Sequence, residues 1–311
     1  MPDHATPPPM TTPAFRTRFA PAPTGYLHLG HVVNAIHVWG LAGREGGEVL
    51  LRIEDHDAER CRAKYETALL DDLDWLGFVP DRYPTDAFRA GRCESRQRDR
   101  SAVYEAAMTA LAGEGLVYAC TCSRQDLARA QATAAETGTE RPYPGTCRER
   151  GLPLDTPGAG WRLRMAPGTV AFEDRWCGPQ WQEPAAQCGD LLIRDRLGNW
   201  TYQFVASVDD WRQGITHVVR GRDLLASTGR QIRIAARLGR TTPATFAHHD
   251  LLMRTPTRKL SKSDGATGVR DLRGAGWTAA RVIGEAARRA GLIAAARDVG
   301  ARDAAALVPM R

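Results

Sequence analysis

The spacing of apolar and polar residues changes abruptly near the start of the chain. Residues 15–19 alternate as a strand does, with Phe15, Thr17 and Phe19 on one side. Prolines and a glycine break the next stretch, and from Gly30 onward the apolar residues recur at helical spacing. A strand, a rigid turn and a helix in this order bring unpaired backbone N–H groups and the positive end of a helix to one place, which suits a phosphate group. On this stretch alone, an ordinary surface loop is the alternative.

The same periodicities predict alternating strands and helices along the rest of the chain. Apolar or alternating runs predict strands at 48–53, 161–165, 168–172, 190–194 and 215–221, and amphipathic spacing predicts helices at 65–76, 96–112, 123–135, 228–238 and 277–311. This alternation indicates an α/β protein with a doubly wound, Rossmann-like parallel sheet. Arg18 and Glu54 then lie at the carboxyl ends of two neighbouring strands, which is where such sheets bind ligands.

The composition fits a globular protein with a mildly basic surface. Of the 311 residues, 43% are hydrophobic and 25% are charged, and the net charge of +6 is compatible with a polyanionic partner such as RNA. No apolar run reaches the roughly 18 residues of a membrane helix, so we expect no membrane partner. Residues 1–14 are rich in Pro and Thr, which predicts a disordered tail rather than a signal peptide and a cytoplasmic location.

Three of the seven cysteines are close in the sequence, at Cys120, Cys122 and Cys147. In a cytosolic chain, cysteines indicate thiols or metal ligands before disulfides. Zinc takes four tetrahedral ligands, mostly Cys and His, and no His lies between positions 120 and 147. The fourth ligand of a zinc site would therefore be Tyr143 or a more distant cysteine (Cys177 or Cys188). Three reduced thiols without a metal are the alternative.

Two distant motifs fit together and resemble those of a known family. His28-Leu29-Gly30-His31 and Lys259-Leu260-Ser261-Lys262-Ser263 resemble the HIGH and KMSKS motifs of class I aminoacyl-tRNA synthetases. Residues 52–55 (RIED) and 219–225 resemble the glutamyl/glutaminyl branch in particular. The resemblance covers most of 15–265.

The family reaction explains the residue types in these motifs. It is an in-line attack of a carboxylate on the α-phosphate of ATP, so the protein supplies positioning and positive charge. The resemblance implies that His28, Gly30 and His31 bind ATP, with the two histidines donating hydrogen bonds to phosphate oxygens. Lys259 and Lys262 would hold the leaving pyrophosphate, and Mg²⁺ would accompany the nucleotide.

The resemblance also implies an amino-acid pocket at five positions. Arg18 matches the arginine that pairs with the substrate's side-chain carboxylate, and Glu54 matches the residue that takes the α-amino group. Ala22, Tyr202 and Arg220 match further positions of the glutamate pocket. Because a buried carboxylate requires a cationic partner, L-glutamate is favoured over glutamine.

The 48 residues after Ser263 leave little room for the anticodon-binding domains of a full-length glutamyl-tRNA synthetase. The short chain and its cysteine pattern resemble the family of short paralogues, the glutamyl-queuosine tRNA(Asp) synthetases. This resemblance implies that glutamate is activated without tRNA and joined to queuosine at the wobble position of tRNA(Asp). It also implies a zinc ion with Tyr143 as fourth ligand, and a monomer. The long span 123–142 between the ligands departs from the family pattern.

These inferences predict five segments along the chain. They are a disordered tail (1–14), the first half of the nucleotide-binding domain (15–118), an inserted zinc subdomain (119–190), the second half with the KLSKS loop (191–265) and a helical C-terminal segment (266–311). Three other functions fit part of the pattern: a truncated synthetase that charges the 3′ end of tRNA(Glu), a catalytically inactive RNA-binding module, and a simple nucleotidylyltransferase.

Overall fold

A computed structural model describes residues 15–131, 141–255, 258–259 and 268–309. The predicted tail 1–14 and the motif residues Leu260 to Ser263, including Lys262, lie outside the described residues. Part of the span between Cys122 and Tyr143 lies outside them as well.

The described part of the chain contains the predicted strands and helices together with others that the hydrophobic pattern did not predict, among them the third, sixth and ninth strands and the seventh helix below. The strands are β1 (Arg16–Phe19), β2 (Glu48–Leu51), β3 (Val117–Cys120), β4 (Gly160–Leu163), β5 (Val170–Asp174), β6 (Gly178–Gln182), β7 (Leu191–Arg194), β8 (His217–Gly221), β9 (Thr245–His249), β10 (Met253–Thr255) and β11 (Arg258–Lys259). The helices are α1 (Leu29–Glu45), α2 (Ala63–Leu76), α3 (Thr85–Arg89), α4 (Ser101–Gly113), α5 (Arg124–Gln131), α6 (Pro184–Cys188), α7 (Tyr202–Arg212), α8 (Thr228–Arg237), α9 (Val269–Gly274), α10 (Ala279–Arg289) and α11 (Ala304–Leu307). Short 3₁₀ helices lie at Gln97–Arg100, Arg222–Ser227 and Ala301–Asp303.

Parallel pairing dominates the central sheet. β1 pairs in parallel with β2, and β8 pairs in parallel with β9. The backbone N–H of Thr216, just before β8, donates to the carbonyl of Arg16 at 2.9 Å, on the edge of β1 opposite to β2. β5 joins β9 in parallel at Asp174, and β6 pairs antiparallel with β5. The strand order is therefore β6-β5-β9-β8-β1-β2.

Both faces of this sheet are buried, as the apolar run of β2 predicts. Val49 and Leu51 point into a core that includes residues of α1, α2 and α10. Leu50 points to the opposite face, where it joins a smaller core with Val218 and with Ile232 of α8. Helices thus cover the sheet from two sides, which is the doubly wound arrangement.

A second sheet carries the cysteine-rich part of the chain. Its order is β3-β4-β7, with antiparallel pairing throughout. Strands β5 and β6 fall within the predicted insert 119–190 but belong to the central sheet, where β5 pairs with β9 and β6 pairs with β5. The insert therefore contributes to two sheets, a division that no local pattern in its sequence marks.

Two of the predicted helices are shorter than the pattern suggests. Residues 97–100 form a 3₁₀ turn before α4 rather than its first turn. The prediction of a helix throughout 277–311 is wrong for residues 290–300, which carry no helix between α10 and the last 3₁₀ turn. Gly291, at a φ of 72°, ends the helical run because few other residues adopt that backbone conformation readily. None of the helices in the described part of the chain is both long and apolar enough to cross a membrane.

Candidate active site

The two histidines of the first motif form a reciprocal cap at the start of α1. The Nδ1 atom of His28 accepts from the backbone N–H of Gly30 at 3.0 Å, and the Nδ1 atom of His31 accepts from the backbone N–H of His28 at 3.1 Å. A neutral imidazole that accepts at Nδ1 carries its proton on Nε2. Each ring is therefore oriented as a hydrogen-bond donor, next to the positive end of a helix of 17 residues.

The chain that follows the second motif lies against this turn. Gly268 forms an antiparallel bridge with His28, and the N–H of Val269 donates to the carbonyl of Leu27 at 2.9 Å. On the other side of the motif, Lys259 ends the hairpin of β10 and β11. The described residues at both ends of the motif are thus fixed, one of them directly beside the HLGH turn.

A cluster of buried charges lies at the carboxyl ends of β1 and β2. Arg18 donates from Nε to Oδ1 of Asp210 at 2.9 Å, and Arg52 donates to the same oxygen at 2.8 Å. Arg52 also reaches Oε1 of Glu54 at 3.2 Å. Burial disfavours the charge of Asp210, but Arg18 and Arg52 outweigh it and lower the pKa of this carboxyl to about 2. Burial raises the pKa of Glu54, against the opposing effect of Arg52 and Arg18.

Arg220, at the end of β8, has a different set of partners. Its guanidinium donates to Nε2 of His248 at 2.9 Å, to Oε1 of Gln231 at 2.6 Å and to Oγ1 of Thr228 at 2.9 Å. Among the described residues, no carboxylate lies within ion-pairing distance of this guanidinium, although Arg220 is only 4% exposed. Burial lowers the pKa of Arg220, while Tyr202 acts to raise it. Arg220 is thus a buried cation with neutral partners.

The structure brings the five predicted pocket residues to one region. Ala22 lies half-buried in the turn between β1 and α1, and Tyr202 begins α7. Burial raises the pKa of the Tyr202 phenol, as does the nearby Glu54, while Arg220 and Arg18 act to lower it. The guanidinium groups of Arg18 and Arg52 face the carboxylates of Asp210 and Glu54. Arg220, which contacts no carboxylate directly in the described part of the chain, is the cation of this region that suits an anionic ligand.

Several residues of this region have no role that could be assigned from the sequence alone. Arg52 and Asp210 form its central ion pairs, and His248 and Asp174 lie behind Arg220. The only local signal for Asp210 was a pair of acids in an otherwise apolar helix. The others are buried charged residues whose partners are far away in the sequence.

The three clustered cysteines converge in the second sheet. The Sγ atoms of Cys120, Cys122 and Cys147 all lie within 4.8 Å of one another, and those of Cys122 and Cys147 are 3.5 Å apart. The hydroxyl of Tyr143 lies 3.4 Å from the Cys120 sulfur and 3.8 Å from that of Cys122. The guanidinium of Arg162 lies 3.6 Å from the centre of the Tyr143 ring and donates to Cys120.

The distances among the three sulfurs, and from the Tyr143 hydroxyl to two of them, fit a tetrahedral zinc ion. Ligand sulfurs about 2.3 Å from a tetrahedral zinc are roughly 3.8 Å from one another. Burial acts to raise the pKa of the Cys147 thiol, but hydrogen bonds from the backbone at Thr121 and from neighbouring side chains lower it to about 6. Burial and the hydrogen bond with Cys147 raise the pKa of the Cys122 thiol to about 11. Of these two thiols, only Cys147 favours the thiolate, which is the form that binds metals.

A groove of about 830 Å³ connects the amino-acid pocket with the cysteine cluster. Tyr202 and His56 line one end, and Cys120 and Cys122 line the other. Arg60, Arg124, Arg162 and Arg196 lie along it, and so do the acidic residues Asp57, Glu59 and Asp195.

The comparisons with known proteins agree with this geometry. Residues 14–302 match the family described as tRNA synthetases class I (E and Q), catalytic domain. The chain therefore belongs to the class I tRNA synthetases of the E and Q branch. Individual proteins similar to this chain narrow the assignment within that branch.

Glutamyl-Q tRNA(Asp) synthetases are similar to this chain over most of its length. The protein of Burkholderia cenocepacia is 42% identical over 260 residues, which are 83% of this chain and 83% of the relative. That of Bordetella bronchiseptica is 43% identical over 255 residues, 81% of this chain and 76% of the relative. Within the branch, the chain belongs to the glutamyl-Q tRNA(Asp) synthetase family.

Solved structures show the same fold in longer proteins. A glutamate tRNA ligase from Elizabethkingia meningosepticum, in complex with its amino acid, is 29% identical with a TM-score of 0.68. The glutamate-tRNA synthetase of Elizabethkingia anophelis has the same TM-score at 28% identity. The matches cover 81% and 85% of this chain but only 52% and 54% of those proteins. This chain thus spans about half the length of the solved synthetases.

Proposed function

We propose that this protein activates L-glutamate with ATP, without tRNA, and then transfers the glutamyl group to queuosine at the wobble position of tRNA(Asp). The observation that carries the proposal is Arg220, a buried cation with neutral partners beside Arg18, Glu54 and Tyr202. Such a cation stabilises a buried substrate carboxylate. The names of the two glutamyl-Q tRNA(Asp) synthetases described above support this acceptor.

In the first step, the α-carboxylate of glutamate attacks the α-phosphate of ATP. His28 and His31 donate from Nε2 to the phosphate oxygens, and the helix end at Gly30 adds a favourable dipole. Lys259 and Lys262 stabilise the charge of the leaving pyrophosphate. Mg²⁺, when bound with the nucleotide, neutralises phosphate charge. The main contribution of the protein is preorganised positive charge around a group that becomes more negative.

The glutamate side chain would lie between two guanidinium groups. Arg220 and Arg18 pair with the side-chain carboxylate, and Glu54 accepts from the α-ammonium group. Tyr202 and Ala22 border the pocket. Because Arg18 is already held by Asp210 at 2.9 Å, Arg220 provides the larger share of unbalanced positive charge.

Cys120, Cys122, Tyr143 and Cys147 would hold one zinc ion. The observed spacing of their ligand atoms and the donors around Cys147 and Cys120 support this set. Such an ion would fix the loop around Cys147 against β3, next to the groove, and thus keep one wall of the groove in place.

The substitution Cys147→Ser tests this zinc site. We expect the purified protein to contain about one zinc per chain and the variant to lose most of it, because a structural site needs all four ligands. Tyr143→Phe should also lower the metal content, whereas the control Cys188→Ser, at a buried cysteine outside the cluster, should not. Elemental analysis measures all four proteins. A wild-type protein purified without chelators that contains no zinc would contradict the assignment.

The groove between Tyr202 and the cysteine cluster is the proposed entry for the RNA. Its arginines would contact phosphates, which are the dominant electrostatic feature of RNA. A hydroxyl of the queuosine ring then attacks the carboxyl carbon of glutamyl-adenylate. The new ester forms as the bond to the α-phosphate breaks, and AMP and the hydroxyl proton leave. We further propose that one chain acts alone, as a monomer, on one tRNA.

Labelled glutamate, ATP and tRNA(Asp) with or without queuosine test the proposal as a whole. We expect ATP–pyrophosphate exchange that depends on glutamate and not on tRNA, and label in the RNA only when queuosine is present. Label on the terminal adenosine of tRNA(Glu) would instead identify a truncated charging enzyme. Absence of exchange in the folded protein would leave a non-catalytic RNA-binding module.

A further inference from the structure

The orientation of Arg220 depends on a histidine that is itself held in place. His248, on β9, is fully buried, and its Nε2 atom lies 2.9 Å from Nε of Arg220. Its Nδ1 atom lies 2.5 Å from Oδ2 of Asp174, which is also fully buried. The three side chains form a line from the end of β5 through β9 to β8.

The chemistry of arginine fixes the tautomer of this histidine. A guanidinium N–H is always a donor, so Nε2 of His248 must be the acceptor. The single proton of the neutral ring is then on Nδ1, from which it is donated to Asp174. Burial lowers the pKa of His248, although the hydrogen bond to Asp174 acts in the opposite direction. The ring is therefore held neutral with its acceptor nitrogen facing Arg220.

Asp174 is anchored through its other oxygen. Oδ1 accepts from the backbone N–H groups of Trp176 and Cys177, at 3.1 Å and 2.9 Å. These bonds fix the carboxylate at the end of β5, so that Oδ2 is directed at His248. Hydrogen bonds thus link three side chains in a row: the anchored Asp174, His248 with its tautomer fixed, and Arg220.

We propose that Asp174 and His248 are positioning residues that hold the guanidinium of Arg220 in the orientation in which it receives the carboxylate of the amino acid. This inference rests on the proposed role of Arg220 as a glutamate-binding residue. The remaining contacts of Arg220, to Gln231 and Thr228, fix its other nitrogens. The contact to His248 fixes Nε and therefore the plane of the group.

The substitution Asp174→Asn separates positioning from folding. The amide oxygen of Asn can replace Oδ1 and keep its backbone hydrogen bonds, which come from Trp176, Cys177 and, at 3.3 Å, His248. Its NH₂ group then faces Nδ1 of His248, which must become an acceptor, so the proton moves to Nε2 and opposes the N–H of Arg220. We expect the KM for glutamate to rise about tenfold, the typical effect of losing a hydrogen bond to a charged group. The KM for ATP and the value of kcat should change little.

Changes at His248 give an independent test that does not depend on Asp174. Gln has no tautomers, and its side-chain oxygen can accept the hydrogen bond from Arg220. His248→Gln should therefore keep the KM for glutamate near that of the wild type. His248→Leu has no acceptor and should raise it about tenfold. In the double variant with His248→Gln, Asp174→Asn should have little further effect, because the tautomer no longer matters.

Pyrophosphate-exchange kinetics on the full chain, with thermal melting as the folding check, measure these variants. The control Asp72→Asn makes the same change at a buried Asp on α2 that lies near Arg273, and it should leave both KM values unchanged. Equal KM values for His248→Gln and His248→Leu would overturn the inference, as would a folded Asp174→Asn with normal KM for glutamate. If Arg220→Gln also leaves that KM unchanged, the proposed role of Arg220 fails too. If only Arg220→Gln raises it, the positioning role alone is wrong.

Discussion

Replacing Arg220 by Gln should lower kcat/KM for glutamate about 10²–10⁴-fold, because removing one partner of a buried ion pair typically costs about 3–5 kcal/mol. The substrate carboxylate would then enter a pocket in which Arg18 is already shared with Asp210. Its desolvation would no longer be balanced by a cation with spare capacity. Most of the loss should appear as a higher KM for glutamate, since the carboxylate is bound both before and during the reaction.

The matched control for this experiment is Arg16→Gln. Arg16 is as buried as Arg220, at 2% exposure, but it pairs with Glu48 at the opposite end of β1. We expect this variant to be less stable and to keep its KM for glutamate. Glutamate-dependent pyrophosphate exchange, measured at saturating ATP, distinguishes the two. A normal KM in the folded Arg220→Gln protein would show that another residue binds the carboxylate.

Replacing Lys262 by Ala should slow glutamate activation about 10²–10³-fold, which is the usual effect of removing one donor from a site of developing negative charge. The charge on the pyrophosphate grows as the bond to the α-phosphate breaks, so the loss should fall mainly on kcat. The KM for glutamate should change little, because the two substrates contact different sides of the pocket.

The lysine content of the chain makes this experiment clean. The sequence has only three lysines, and two of them lie in the second motif. The third, Lys64, is exposed on α2, so Lys64→Ala is the control and should behave as the wild type. Glutamate-dependent pyrophosphate exchange, measured at saturating ATP, gives kcat for both variants and for the wild type. Unchanged kinetics in Lys262→Ala would contradict the proposed role of the motif.

Much of the nucleotide half of the site follows from the sequence. The change from alternating to helical spacing predicts the turn before α1, and β1 and α1 confirm the strand and the helix on either side of it. The same reasoning put Arg18 and Glu54 at neighbouring strand ends, where the structure also has them. These features depend on local periodicity, which a single sequence contains.

The buried charges around the pocket could not be predicted in this way. Asp210 is paired with Arg18, which is 192 positions away in the sequence, and Asp174 is paired with His248, which is 74 positions away. Such pairs form only when separate strands come together, and nothing in the local sequence distinguishes them from exposed charges. The division of the insert between two sheets has the same cause, because the partner of β5 lies far along the chain.

The hydrogen bond between Thr216 and Arg16 joins parts of the chain that are 200 residues apart. During synthesis, the edge of β1 that faces β8 therefore stays unpaired until β8 has been made. At about 5–20 residues per second, the synthesis of the intervening chain takes roughly 10–40 seconds. An unpaired strand edge is open to pairing with other chains throughout that time. The growing protein is thus most exposed to aggregation while it is still on the ribosome, with its first half complete and its central sheet unfinished.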